Sequence, residues 1–217
     1  MINMIYFEEL VEKAKLLENP IQKVLAIGGS PRKGGNTDII IKQIAAGLKF
    51  ENIECENINL GNIDFKGCIG CERCRKDKIC TTIHDGMSSL YPDIMESQGL
   101  ILVSPVHNYN ITSWMKAFID RLYCFYEFDN NTRPRKWSSR LANQNRKVVI
   151  SAVCEQDNGK DMGFAIEAMQ EPMKALGFEI VGILPVFKAF EKGAVRTQDN
   201  IMNKAYELGI KLGQTLK

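Results

Sequence analysis

The 217-residue chain has almost no excess of charge of either sign, since 28 lysines and arginines are balanced by 26 aspartates and glutamates. A balanced surface does not attract a polyanion, so we expect no nucleic-acid partner. No apolar run approaches the roughly 20 residues that cross a bilayer. The first 20 residues are acidic early on and lack the apolar stretch of a secretory signal. The sequence therefore predicts a cytoplasmic protein with no membrane partner.

Internal repeats and low-complexity tracts are also missing, whereas cysteine is concentrated in one place. Four of the seven cysteines form the pattern C-x2-C-x2-C-x5-C within 13 residues: Cys68, Cys71, Cys74 and Cys80. In a reducing compartment such crowding favours metal or redox chemistry over disulfides.

Three interpretations of this cysteine motif remain open. Four thiolates can hold a [4Fe–4S] cluster. All-cysteine zinc sites usually join two C-x2-C pairs through a longer loop, which the overlapping pattern here disfavours. In the third interpretation the thiols bind no metal. The other cysteines in apolar surroundings, Cys55 and Cys124, are predicted to be ordinary core residues.

Strands and helices alternate five times along the chain, which predicts an α/β fold with a parallel sheet. We expect one domain, 1–217, with an N-terminal helical extension at 1–20 and a cysteine-rich loop at 61–85. The predicted strands are 23–30, 53–60, 100–106, 147–153 and 179–187. The predicted helices are 3–18 (with Ile5, Leu10, Val11, Ala14 and Leu17 near helical spacing), 36–49, 86–97, 112–126, 164–176 and 198–215.

Ligands of such sheets bind beyond the carboxyl ends of the strands, where the strand order reverses. The loops after the first, third and fourth strands, 28–37, 104–112 and 154–163, should therefore meet at one site. The first of them, GGSPRKGGNT, matches neither G-x-G-x-x-G nor G-x-x-x-x-G-K-[ST]. It offers Ser30, Arg32, Asn36 and Thr37 together with free backbone N–H groups, which suits a terminal phosphate monoester. We expect Asn36 or Thr37 to cap the helix that follows.

Three stretches carry a resemblance to a known family. G-S-P-R-x-x-G-N-T follows the first strand, S-P-V-x9-K-x-F-x-D-R follows the third, and the cysteine run lies between them. Together they resemble the flavodoxin-like NADPH-dependent FMN reductases, and within that group the iron–sulfur flavoproteins, over residues 23–190. The resemblance implies a doubly wound five-stranded parallel sheet in the order 2-1-3-4-5.

The resemblance also implies FMN as the cofactor and a set of residues that contact it. The phosphate is expected at Ser30, Arg32, Gly34, Asn36 and Thr37. The ring is expected at Pro105, Val106, His107, Asn108, Tyr109 and Asn110, with Cys154 and Glu155 of the third loop nearby. Family members usually carry aromatic residues where His107 and Asn108 stand, so Tyr109 is the candidate stacking surface. Asp120 and Arg121 are expected to form structural ion pairs.

The implied activity is that of an FMN-dependent oxidoreductase, in which FMN exchanges electrons with a [4Fe–4S] cluster and a ferredoxin-like carrier. Arg73, Arg75, Lys76 and Lys78 would offset the negative charge of the cluster. One alternative is a cluster-free NAD(P)H-dependent reductase of free flavin, a quinone or another small acceptor. A non-enzymatic alternative is a flavin-binding redox sensor or docking protein.

Two further features concern partners. The basic segment 129–140 could bind the 2′-phosphate of NADPH, dock an acidic electron-transfer protein, or be a solvated loop. The resemblance implies a homodimer or homotetramer with FMN near the subunit interface.

Overall fold

This computed structural model describes residues 4–217, with side chains from residue 7 onward. The helices are α1 (Met4–Leu16), α2 (Asn36–Phe50), α3 (Cys74–Asp77), α4 (Gly86–Glu96), α5 (Ser113–Arg121), α6 (Ala165–Ala175) and α7 (Asp199–Thr215). The strands are β1 (Ile21–Gly28), β2 (Glu54–Asn59), β3 (Ser97–Pro105), β4 (Tyr126–Phe128), β5 (Trp137–Ser139), β6 (Lys147–Val153) and β7 (Glu179–Val186). Short 3₁₀ turns span Leu60–Asn62, Leu122–Phe125, Gly159–Met162 and Ala194–Thr197.

The main sheet has five parallel strands in the order β2-β1-β3-β6-β7. Counted over these five strands alone, the order is 2-1-3-4-5, and the predicted doubly wound architecture is confirmed. Alternate residues of each strand enter opposite faces. In β1, Leu25 and Ile27 pack with α1, α4, α5 and α6, whereas Val24 and Ala26 pack with α2 and α7.

The helical layer formed by α2 and α7 depends on glycine at the point where the two helices cross. A Cβ on Gly209 would lie 2.0 Å from the carbonyl oxygen of Ile44, and one on Gly47 would lie 2.1 Å from that of Tyr206. Both distances are far below contact, so only glycine allows this approach. The pairing holds the C-terminal half of α2 against α7.

Several boundaries of the elements differ from the predictions by one to three residues, and the end of helix α5 differs most. Helix α5 ends at Arg121, five residues early, because the chain turns through a 3₁₀ segment into the antiparallel β4–β5 hairpin. Helix α1 ends at Leu16, and the next residue, Leu17, has φ +42°. Residue 3 and the side chain of Ile5, both part of the predicted first helix, lie outside the described residues. Within 4–217, none of the helices combines the length and apolar character needed to cross a bilayer.

Candidate functional site

A cavity of about 370 Å³ opens at the carboxyl ends of the central strands. Its walls come from the loops after β1, β3 and β6, the three that the sequence pattern assigned to one site, and also from the loop after β7. The lining residues are Ser30, Pro31, Arg32, Gly35, Asn36, Thr37, Pro105, Val106, His107, Asn108, Tyr109, Val153, Glu155, Gln156, Asp161, Ala189, Phe190 and Lys192. Its volume lies in the range of small-molecule and cofactor sites. We call it the flavin cavity, because the family resemblance expects FMN at these loops.

The turn from β1 into α2 presents unpaired backbone donors to this cavity. The first helical hydrogen bond of α2 runs from the Ile39 N–H to the Gly35 carbonyl, so the N–H groups of residues 36–38 precede the helical ladder. Ser30 Oγ accepts the Arg32 N–H at 3.1 Å and thereby shapes the turn. Free N–H donors and the positive end of the helix dipole lie together at the start of α2, and this combination favours the binding of an anion.

The Asn36 side chain plays a different part from the predicted one. It does not cap α2, whose N-cap residue is Gly35. Its amide nitrogen donates to the carbonyls of Ala189 and Glu191, both at 2.9 Å, and its oxygen accepts the N–H groups of Gly193 and Val195. All four hydrogen-bonding positions of the amide are thus used by the loop after β7. The amide is therefore not free to bind a phosphate.

The loop after β3 makes a tight turn over residues 107–110. His107 and Asn110 exchange both backbone hydrogen bonds, at 2.8 and 3.1 Å. Asn108 and Tyr109 between them have φ +49° and +64°, the positive values of a type I′ turn. Such strain in a non-glycine pair is typical of functional loops. The turn directs residues 105–109 into the cavity wall, but Asn110 does not line it, because its amide oxygen accepts the Ile111 N–H.

Gly163 secures this turn from the other side. The Phe164 N–H donates to the Tyr109 carbonyl at 2.9 Å. Gly163 has φ +58°, and a Cβ on it would lie 2.0 Å from the same oxygen. The chain can pass this close to Tyr109 only as glycine. The loop after β6 is thereby held against the loop after β3.

Two more predicted contacts lie outside the cavity wall, and one segment was missed. Cys154 is buried and its backbone pairs with the segment after β7, while its neighbour Glu155 does line the cavity. Gly34 also does not line it. The missed wall includes Phe190 and Lys192, which follow β7. Only their position in the chain could have indicated these residues, because β7 ends at the same edge of the sheet as the other strands.

The four cysteines of the motif line a second cavity, of about 300 Å³, together with Ile69, Gly70, Glu72, Thr82, Ile83, Asp120, Arg121, Tyr123 and Cys124. We call it the cysteine cavity. Cys68 and Cys71 are exposed, while Cys74 and Cys80 are half-buried. The pKa of Cys74 is raised to about 11, mainly by burial and then by the neighbouring thiols of Cys80, Cys68 and Cys71.

Cys71 differs from Cys74 in its immediate surroundings. The pKa of this thiol is lowered by two hydrogen bonds. The larger effect comes from the contact of 3.2 Å between its Sγ and Thr82 Oγ1, and the smaller one from a backbone hydrogen bond. Across the described chain, 4–217, no three His, Cys, Asp or Glu side chains are placed to hold a single metal ion. The four thiols are therefore spread around a cavity rather than gathered at one point.

None of the cationic groups predicted to offset a cluster's charge lines this cavity. Arg73, Arg75 and Lys78 form ion pairs with Asp77, Glu72 and Glu127, and neither they nor Lys76 line the cavity. The charges of Arg73, Arg75 and Lys78 are instead paired with neighbouring carboxylates.

Arg121 is the cation in the cavity wall. It is 2% exposed and makes a two-pronged ion pair with Asp85, at 2.9 and 3.2 Å. Its Nε is buried without a hydrogen-bond partner in the described part of the chain. A buried unpaired donor is costly, so this wall suits an electron-rich group in the cavity. The expected ion pairs are confirmed for Arg121 and, with Lys116, for Asp120.

The basic segment 129–140 lies beside the cysteine cavity and contributes nothing to the wall of the flavin cavity. Its hairpin is linked to α3 by Arg75, whose guanidinium lies 4.2 Å from the centre of the Phe128 ring. Arg75 also donates to the hydroxyl of Tyr123, a residue of the cysteine cavity, at 2.7 Å.

Comparison with known proteins identifies the family and the fold of this chain. The family model described as NADPH-dependent FMN reductase matches residues 22–160. A protein of Archaeoglobus fulgidus named iron–sulfur flavoprotein is 35% identical over 195 residues, which cover 90% of this chain and 80% of that protein. An iron–sulfur flavoprotein of Methanocaldococcus jannaschii is 34% identical over 99 residues, 46% of this chain, and the match spans about half (51%) of that protein.

Among solved structures, an FMN-dependent NADH-azoreductase of Bacillus anthracis in complex with FMN superposes with a TM-score of 0.67 at 15% identity. The superposition covers 89% of this chain and all of the azoreductase. At this identity the likeness concerns the fold alone. On the family match and the Archaeoglobus relative, the chain belongs to the NADPH-dependent FMN reductase family of flavin-dependent oxidoreductases.

Proposed function

We propose that this protein is an electron-transfer iron–sulfur flavoprotein, in which FMN occupies the flavin cavity and a [4Fe–4S] cluster occupies the cysteine cavity. The observation that carries the proposal is that Cys68, Cys71, Cys74 and Cys80 all line one cavity of about 300 Å³. A single zinc ion would need its ligands gathered at about 2.3 Å from one point. Four thiols spread around a larger space suit a cluster instead.

The FMN phosphate would lie at the unpaired N–H groups where α2 begins, with Ser30, Arg32 and Thr37 beside it. The ring would lie against Pro105–Tyr109, whose turn holds the backbone in place. Glu155 and Gln156 would close the site from the loop after β6. The flavin accepts electrons in pairs and releases them singly, while a cluster handles one at a time, so the residues listed need only bind and orient the two groups.

The basic segment 129–140 supports an acidic one-electron carrier as the partner. Arg133, Arg135 and Lys136 are exposed beside Trp137, which is 54% exposed. They belong to the hairpin that Arg75 links to Tyr123 in the wall of the cysteine cavity. Complementary charge raises the rate at which two proteins meet. A ferredoxin-like carrier would then deliver its electrons to the cysteine cavity rather than directly to the flavin.

A self-association surface is also proposed at the mouth of the flavin cavity. Tyr109 is 58% exposed and Phe164 is 70% exposed, and the two are joined by a backbone hydrogen bond. Exposed apolar groups at a cavity mouth are typical of interfaces. A homodimer covering this rim would be detected as twice the chain mass by light scattering.

The second candidate is a cluster-free NAD(P)H-dependent flavin reductase, and the match to the family model described as NADPH-dependent FMN reductase supports it. Anaerobic stopped-flow measurements separate the two. Reduced ferredoxin, NADH and NADPH are each mixed with the oxidised protein, and the flavin absorbance is followed. The proposal expects rapid reduction by ferredoxin, which is lost in Cys74→Ala and kept in Cys55→Ala. Rapid reduction by NADPH or NADH that does not depend on Cys74 would contradict it.

A further inference from the structure

Lys192 lies between β7 and α7, outside every stretch that the sequence pattern or the family motifs assign to a cofactor. It nevertheless lines the flavin cavity. Its Cε and Nζ are 3.5 and 3.6 Å from the position that a Cβ on Gly34 would occupy. The ammonium group therefore lies directly beside the turn that presents the unpaired N–H groups.

The segment that carries Lys192 is fixed to this turn from both ends. The four hydrogen bonds of the Asn36 amide hold residues on either side of it. The Arg32 guanidinium donates to the Phe190 carbonyl at 3.0 Å and lies 4.8 Å from the centre of the Phe190 ring. Lys192 is thus positioned by Asn36 and Arg32, which belong to the turn between β1 and α2.

The charge of Lys192 is not neutralised by the protein. None of the ion pairs in the described part of the chain includes it, whereas Lys188 on the same segment pairs with Asp157 at 3.4 Å. Asp38, the carboxylate of the turn, accepts the Gly34 N–H at 2.6 Å. The other carboxylates of the cavity wall, Glu155 and Asp161, come from the loop after β6.

We propose that Lys192 binds the terminal phosphate of the flavin and makes the cavity selective for the phosphorylated form. This inference rests on the proposed binding of FMN. An ammonium is a compact charge with three donors, and a charge-assisted hydrogen bond to phosphate is about twice as strong as a neutral one. Riboflavin has the same ring and ribityl chain without the phosphate, so Lys192 contributes nothing to its binding.

The test is the titration of FMN and of riboflavin into the flavin-free full-length protein, followed by flavin fluorescence. Lys192→Met should raise the Kd of FMN by about 10- to 100-fold, as expected for loss of one hydrogen bond to a charged group. The Kd of riboflavin should change by less than about twofold. Lys192→Arg should keep most of the FMN affinity. The matched control is Lys33→Met, an exposed lysine of the same turn that does not line the cavity.

The outcomes that contradict the inference are distinct from those that contradict the proposed function. Unchanged FMN affinity in Lys192→Met would overturn the inference alone. Equal losses for FMN and riboflavin would also overturn it, because they indicate a disturbed loop instead of a lost phosphate contact. A wild-type protein that binds neither flavin would overturn the proposed function, and the inference with it.

Discussion

Replacing Asn36 with alanine should remove the hydrogen bonds that hold the loop after β7 to the start of α2. The amide makes four hydrogen bonds of 2.9–3.2 Å to that loop, and alanine can make none of them. The residue is 8% exposed and Val195 is fully buried. Water therefore cannot replace the lost partners unless the loop moves.

The magnitude follows from which of the four partners stay buried. The bonds to the Ala189 carbonyl and from the Val195 N–H are buried, and the bonds to Glu191 and Gly193 are partly buried. Each buried group left unpaired costs about 1–3 kcal/mol, and an accessible one costs little because water binds it. With two such groups, we expect Asn36→Ala to lower the free energy of unfolding by about 2–6 kcal/mol.

Urea denaturation measures this loss, and hydrogen exchange locates it. The denaturation midpoint should fall while the slope with denaturant stays unchanged, and the amides of Gly193 and Val195 should exchange faster than in the wild type. The control is Asn130→Ala, at an exposed position of the basic segment, which should leave both readouts unchanged. A stability within about 0.5 kcal/mol of the wild type, or unchanged exchange at these two amides, would refute the role given to Asn36.

Two other predictions address the helix layer and the partner surface. Gly209→Ala should lower the free energy of unfolding by about 1–3 kcal/mol, because the new Cβ collides with the backbone of α2. This collision outweighs the gain in helix propensity. Urea denaturation measures the loss, and the control Asn203→Ala, at an exposed position of α7, should show none. Reversing the charges of Arg135 and Lys136 to glutamate should slow reduction by an acidic ferredoxin by at least about tenfold at low salt and flatten its salt dependence. Equal rates in this double variant and in the wild type would exclude the hairpin as the docking surface.

The parallel sheet and the position of the flavin cavity were predictable because they depend on local patterns, whereas the strand order was implied by the family resemblance. Buried strands such as β3 and β6 are continuous apolar runs, and their carboxyl ends must meet at one edge. The turn around Ser30 follows β1 directly, so its composition alone indicated an anion site.

Other features depend on residues that are distant in sequence. Asn36 looked like a phosphate ligand or a helix cap, and its partners lie more than 150 positions along the chain. Lys192 carries no motif and reaches the cavity only because Asn36 and Arg32 hold its segment. At the cysteine cavity, charge counting pointed to the cations next to the motif, but they pair with nearby carboxylates, and Arg121 of α5 is the one in the wall.

The central claim is that the four motif cysteines hold a cluster, and its direct test is the amount of iron and acid-labile sulfide per FMN in anaerobically purified protein. We expect about four irons and four sulfides per chain in the wild type, none in Cys74→Ala, and unchanged amounts in Cys124→Ala, whose thiol belongs to the same cavity but not to the motif. A wild-type protein that contains FMN without iron or sulfide would contradict the account, and so would loss of both in Cys124→Ala.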